Sequence, residues 1–340
     1  MRREQWAESR EQKKSDEKLF ALVAILLALS FPAEAQQPKK IPQIGFLFGA
    51  SSSSNTDRTE AFRQGLRDLG YIEGKNILIE YRYADRQLDR VPGLVAELVQ
   101  LKVDVLVVPF QEGIVAAKQA TKTIPTVIST AQDPVATGII ESFARPGGNI
   151  TGLTRLTREL SGKRLELLKE VVPGISRVGI LWNADSVGAS VGFKEYEAAA
   201  RALEIQLQSL GVRGPNPDLE GAFQSASKGR ASALITIRNP ILTDYPKLIA
   251  DFAIKNRLPS MHEGSDYVEA GGLVSYSDDD LEVLRRVAVY VDKILKGAKP
   301  ADLPVETPTK FELVINLKTA KQIGLTIPDS VLYRVDRVVK

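Results

Sequence analysis

The side chains best suited to chemistry are few. The chain has one histidine, His262, and no cysteine. Most general acid–base catalysis runs through histidine, so a Ser-His-Asp arrangement would have to rest on this one residue. His262 falls at a strand end, in Met261-His262-Glu263-Gly264, and reads as a cleft-lining or exposed side chain rather than a base. Without cysteine there is no thiol chemistry, disulfide, iron–sulfur cluster or cysteine zinc site. HExxH, GxxxxGK[ST] and a strand-following GxGxxG are all absent. The reading is therefore of no catalytic residues, no metal and no cofactor, although a hydrolase or lyase built on carboxylates stays open. Asp278-Asp279-Asp280 opens a helix and is most simply a cap favoured by the helix dipole, with a divalent-cation site as the alternative.

What remains is suited to binding. Ser51, Ser52 and Ser53 belong to a serine run between a strand and a helix, where hydroxyls and free N–H groups favour an anion; a solvated loop is the equal alternative. Phe110, beside Gln111, either stacks on a ligand or caps the core. Asp133, Asp185 and Glu263 are each able to accept a ligand ammonium, or to act as turn and cap acids. Thr130, Asn183, Ser186, Arg238, Asn239 and Tyr276 complete the candidate set, all near strand ends. Trp182 reads as core.

The elements that position these residues alternate along the chain. Apolar runs of strand length at 41–49, 104–109 and 124–129, with an alternating one at 76–83, are separated by helical patterns at 59–71, 88–101 and 113–121. Such runs point to a parallel sheet covered on both faces. Segment 133–157, rich in Gly, Pro and Thr, reads as a loop and crossover. The plan then repeats: RVGILWN at 177–183 echoes QIGFLFG at 43–49, and strands at 205–210, 233–237 and 258–261 alternate with helices. A helix over 279–295 and a tail with a strand at 311–316 follow. The fold class is α/β, with two doubly wound parallel-sheet lobes. In open parallel sheets ligands bind at the carboxyl ends of the strands, so two such edges facing each other make a cleft.

The chain holds 45 basic and 42 acidic residues, for a net charge of +3. No basic block or stripe argues for nucleic acid. The apolar run FALVAILLALSF at 20–31 is too short to cross a bilayer. It precedes an A-x-A site ending at Ala35, the order of a secretory signal peptide, although residues 1–19 mix acidic and basic side chains. The expectation is a cleaved leader over 1–35 and a periplasmic location.

Long stretches resemble the substrate-binding proteins of ABC transporters, in the branch of tryptophan-binding components. They include AFRQGLRDLGYIEGKNILIEYRYA (61–84), DRVPGLVAELVQLKVDVLVV (89–108), DPVATGIIESFARPGGNITGLT (133–154) and YVDKILKGAKPADLPVETPTKFELVINLKTAKQIGLTIPDSVL (290–332). The resemblance implies a type I periplasmic-binding-protein fold, with lobes over 41–155 plus 278–303 and 156–277 plus 304–340 joined by three crossovers. It also implies delivery of a small molecule to a permease with a cytosolic ATPase; the serine run points to an amino acid or other carboxylate-bearing compound, and a monomer is expected. A sensing receptor without transport is the alternative. The chain departs from the family pattern in two loops. Phe110-Gln111-Glu112 replaces a small Thr/Ala-type loop, and 261–266 lacks the usual aromatic or arginine.

Overall fold

Short, mainly apolar runs such as Val105–Val108 and Ala233–Thr236 are buried along their length, as central strands of a covered parallel sheet must be. The computed structural model describes residues 40–156, 160–308 and 310–340. The apolar run at 20–31 and the A-x-A site lie outside them. Residues Ile41–Lys340 form one compact unit.

The first sheet has the order β2-β1-β3-β4-β5 and is parallel throughout. Its strands are β1 (Gln43–Phe48), β2 (Leu78–Tyr83), β3 (Val105–Val108), β4 (Thr126–Thr130) and β5 (Ile150–Thr154). Helices α1 (Thr56–Asp68), α2 (Val91–Gln100) and α3 (Gln111–Ala120) connect the first four. β5 corrects the reading of 133–157 as loop throughout. Its sequence, ITGLT, is weak strand material, but it is fully buried against β4. Gly152, at φ +139°, makes this possible: a Cβ there would lie 2.2 Å from the Ile128 carbonyl oxygen, so only glycine permits the approach.

The second sheet has the order β12-β11-β10-β9-β8-β6-β7. Its strands are β6 (Arg177–Asn183), β7 (Gln206–Val212), β8 (Ala233–Thr236), β9 (Ser260–His262), β10 (Val274–Ser277), β11 (Glu312–Asn316) and β12 (Arg337–Val339). All its pairs are parallel except β10 with β11. The helices are α4 (Ser161–Val171), α5 (Val187–Ala202), α6 (Leu219–Lys228), α7 (Pro246–Lys255), α8 (Ser265–Glu269), α9 (Asp280–Leu295), α10 (Leu317–Ile323) and α11 (Asp329–Leu332).

The chain passes between the sheets three times: after β5, after β10, and between α9 and β11. α9 belongs with the first sheet although it follows the strands of the second. Its Val283, Leu284, Val287, Ala288 and Val291 share a core with Ile44, Phe46, Phe62 and Leu66. Burial of such side chains is worth about 1.5–3 kcal/mol apiece, enough to fix where the helix docks. The Glu306 N–H donates to Gly152 O, and Glu306 O accepts from the Thr154 N–H. Glu306 is thereby tied to the first sheet before the chain reaches β11.

Candidate functional site

The carboxyl ends of β1, β3 and β4 face those of β6, β8 and β9 across a cavity of about 90 Å3, measured for the centre of a water molecule. One water needs on the order of 10–15 Å3 by that measure, so the space suits a small molecule. Phe48, Pro109, Phe110 and Pro240 give its wall an apolar part. Asn55, Gln111, Gln132 and Asn239 give it amides, and Arg58, Arg155, Arg238, Glu112 and Glu263 give it charge.

The arginines are held by aspartates at the crossovers. Arg155, just past β5, donates from Nε to both Asp278 oxygens at 3.0 and 2.9 Å, and from Nη1 to Asp280 Oδ1 at 2.6 Å. Arg58, in the first turns of α1, reaches Asp280 from Nε at 2.6 Å and Nη2 at 3.0 Å. Arg238, past β8, meets Asp280 at 3.2 Å and grips Asp266 at 3.2 and 3.1 Å. Asp280 thus collects a guanidinium from each sheet and one from the crossover. Burial alone would raise its pKa, but Arg58, Arg238 and Arg155 together hold it well below the carboxylate range. Burial likewise works to lower the pKa of Arg155, and Asp278 and Asp280 overcome it and raise it. Asp279 is the cap expected of the acidic triplet, accepting from the Leu281 and Glu282 N–H groups. Its two neighbours bind arginine, and among the described residues no group of His, Cys, Asp and Glu is arranged to hold a metal.

Glu263 is buried and fully engaged. Its Oε1 accepts from Arg164 Nη1 at 3.4 Å and Tyr196 OH at 3.2 Å, and its Oε2 accepts from the Arg238 N–H at 3.0 Å. His262 corrects the sequence reading. It is fully buried rather than cleft-lining or exposed, with its ring stacked 5.0 Å from that of Tyr267 and its Nε2 bonded to Ser260 Oγ at 3.0 Å. Burial lowers its pKa to about 3, so it stays neutral at ordinary pH.

The serine run has its carboxylate, but the carboxylate is the protein's own. Asp244, past β8 in the second lobe, accepts from the Ser51 N–H at 3.3 Å to each oxygen and from Ser54 Oγ. Arg86 Nε lies 3.4 Å from the same group. Arg86 also donates to Tyr245 OH and sits 5.4 Å over its ring. None of these five residues lines the cavity; they join the lobes at its mouth. Ser52 and Ser53 are exposed.

Of the residues singled out from sequence, Phe110, Gln111, Ser186, Arg238, Asn239 and Glu263 line the cavity together. Gln111 is not in a loop; it begins α3. Thr130, buried at the end of β4, donates to Gln132 Oε1 at 2.9 Å and so sets a wall amide from behind. Asp133 accepts from the Val135 and Ala136 N–H groups as a turn acid. Asn183 is buried and accepts from the Asp185 N–H, while Asp185 pairs with Arg213 at 2.5 Å on the surface. Tyr276 is half-buried against Phe311. Ser51, Ser52, Ser53, Thr130, Asp133, Asn183, Asp185 and Tyr276 are thus outside the wall. Sequence reasoning missed Arg58, Arg155, Asn55, Glu112 and Gln132. Arg155 was hidden because its strand reads as loop; Glu112 stood inside a loop already picked out.

Two parallel-sheet α/β lobes with a small-molecule cavity closed between their strand ends define a bilobal solute-binding protein of the periplasmic-binding type. The chain belongs to the ABC transporter substrate binding protein family, whose model matches residues 46–339. A solved structure of a conserved domain protein from Vibrio cholerae is 26% identical with a TM-score of 0.82, covering 88% of this chain and 100% of that one. The ABC domain from Streptococcus pneumonia in complex with L-Trp is 25% identical with a TM-score of 0.77, covering 87% and 100%. A tyrosine-binding protein of Clostridioides difficile is 24% identical over 287 residues, 84% of this chain and 82% of its own. The family is extracytoplasmic and its members bind substrates for transporters; this chain is a solute-binding protein. Among the described residues no helix is long and apolar enough to cross a membrane.

Proposed function

We propose that the chain is the periplasmic receptor of an ABC importer, exported by its leader, which captures an amino acid or another small carboxylate-bearing molecule. It acts as a monomer, performs no chemistry on its ligand, and hands it to a membrane permease driven by a cytosolic ATPase. The lobes, divided near 155, 277 and 306, close on the solute because it binds the closed form more tightly.

The observation that carries this reading is the cavity enclosed between the two sheets, with Arg58, Arg155 and Arg238 in its wall. Guanidinium groups match a carboxylate in planar, bidentate fashion. Their partner aspartates hold them in place. The C. difficile relative is a tyrosine-binding protein and the S. pneumonia domain holds L-Trp, which supports the same class of ligand. The buried, neutral His262 supports binding without turnover. Mass spectrometry of natively purified protein after denaturation should release one small carboxylate-bearing compound in near-stoichiometric amount. Release of a neutral sugar, with stabilisation by sugars alone in a thermal-shift screen, would overturn the proposal.

A further inference from the structure

Glu112 differs from the carboxylates that the sequence offered for an ammonium. Asp133 is satisfied by turn amides, Asp185 by Arg213, and Glu263 by Arg164, Tyr196 and the Arg238 amide. Asp266, Asp278 and Asp280 are all taken by arginines. Glu112 lines the cavity, is half-buried, and has no cationic partner among the described residues. Its one bond is from the Ser186 hydroxyl, which donates to Oε1 at 2.6 Å. Oε2 has no partner among the described residues.

Burying even part of a carboxylate without a cation carries a cost. The first turn of α3 offsets part of that cost through its dipole, but a dipole leaves the second oxygen open. The bond to Ser186 also crosses the cleft, since Glu112 lies in the first turn of α3 in the first lobe and Ser186 caps α5 in the second. Gly188 packs there so closely that a Cβ on it would lie 2.8 Å from Gln132 Nε2. The bond from Ser186 to Glu112 therefore depends on the two lobes lying this close together.

We infer that Glu112 is the specificity-determining residue for a protonated amine on the solute. The inference rests on the reading of this cavity as an amino-acid site. In it the arginines take the carboxylate and Glu112 takes the ammonium, so a solute with both charges bridges the wall. Because Ser186 and the amine meet at one carboxylate, recognition of the amine is coupled to closure.

The test compares wild type with Glu112→Gln, which keeps the shape and an acceptor for Ser186. The probes are the twenty standard L-amino acids, each beside the carboxylic acid lacking its α-amino group, followed by titration calorimetry on those that stabilise. Charge-assisted hydrogen bonds set the scale: the best amino acid should bind about tenfold to hundredfold more weakly to Glu112→Gln. The desamino acid should bind both proteins alike. An unchanged gap between amino acid and desamino acid in the variant would overturn the inference. If no amino acid binds, the amino-acid reading of the cavity fails, and the inference is decided by putrescine and ethanolamine. Stabilisation that Glu112→Gln abolishes would support it; no stabilisation by either amine would overturn it.

Discussion

Two clusters of charge join the lobes, and they are built differently. At the crossovers, Arg155, Asp278 and Asp280 are from 3% to 16% exposed, and the aspartates meet several guanidinium groups. At the mouth, Asp244 has one arginine, itself 28% exposed, with one hydroxyl and one amide. A dry, multiply bonded cluster is expensive to break, because losing one member strands a buried charge. Asp244 is itself only 6% exposed, but its single arginine keeps contact with water, and such a lone pair is worth less. Rotation about the crossovers displaces atoms least beside them and most at the mouth. The crossover cluster therefore holds the frame, and the Asp244 contact is the one that opening must break.

The largest expected effect follows from the frame. Arg155→Ala leaves Asp278 bare and Asp280 short of a partner, and should cost about 3–5 kcal/mol in denaturant unfolding. Arg155→Lys should restore little, since an ammonium cannot span both carboxylates. A loss under about 1 kcal/mol would erase the distinction between the clusters.

Acid probes the frame from another side. The folded pKa of Asp280 is depressed. Its contribution is fully present above about 3.9, the ordinary carboxylate value, and is lost as pH falls through the lower folded value. His262 adds a slope at higher pH. Its folded pKa is about 3 against about 6.5 unfolded. Between those values only the unfolded state takes up the proton, so stability falls as pH drops, by on the order of 1.4 kcal/mol per unit at the steepest. His262→Asn should flatten that slope in urea melts at pH 4 to 6.5 while leaving the loss below pH 4.

The mouth should show smaller effects of another kind. Asp244→Ala touches no cavity wall, yet it should weaken every solute about tenfold in calorimetry by depopulating the closed form. Its folding stability should change by under about 1 kcal/mol. A loss confined to one solute would place Asp244 in the binding site instead. Tyr245→Phe, which removes one hydroxyl and keeps the ring beneath Arg86, should weaken binding only a few-fold.

These differences also show what the sequence conveys. Burial on both faces writes itself into runs such as VLVV and ALIT, so the alternating elements and the paired lobes are legible. β5 is not, because ITGLT becomes a strand only through the close fit of Gly152 on Ile128. The acidic triplet shows its cap, Asp279, which is local. It does not show the ion pairs of Asp278 and Asp280 with Arg155, which lie 123 and 125 residues apart. The serine run shows chemistry fit for a carboxylate, but no spacing rule announces that Asp244 supplies it. His262 sits at a strand end by pattern and deep in the core by packing.

The most direct test of the account is small-angle X-ray scattering on protein stripped of solute by denaturing dialysis and refolded, then titrated with the compound released on denaturation. The account predicts that the radius of gyration falls on saturation in wild type, and that Asp244→Ala needs more solute to reach the same compact state. Superimposable curves with and without bound solute would contradict it.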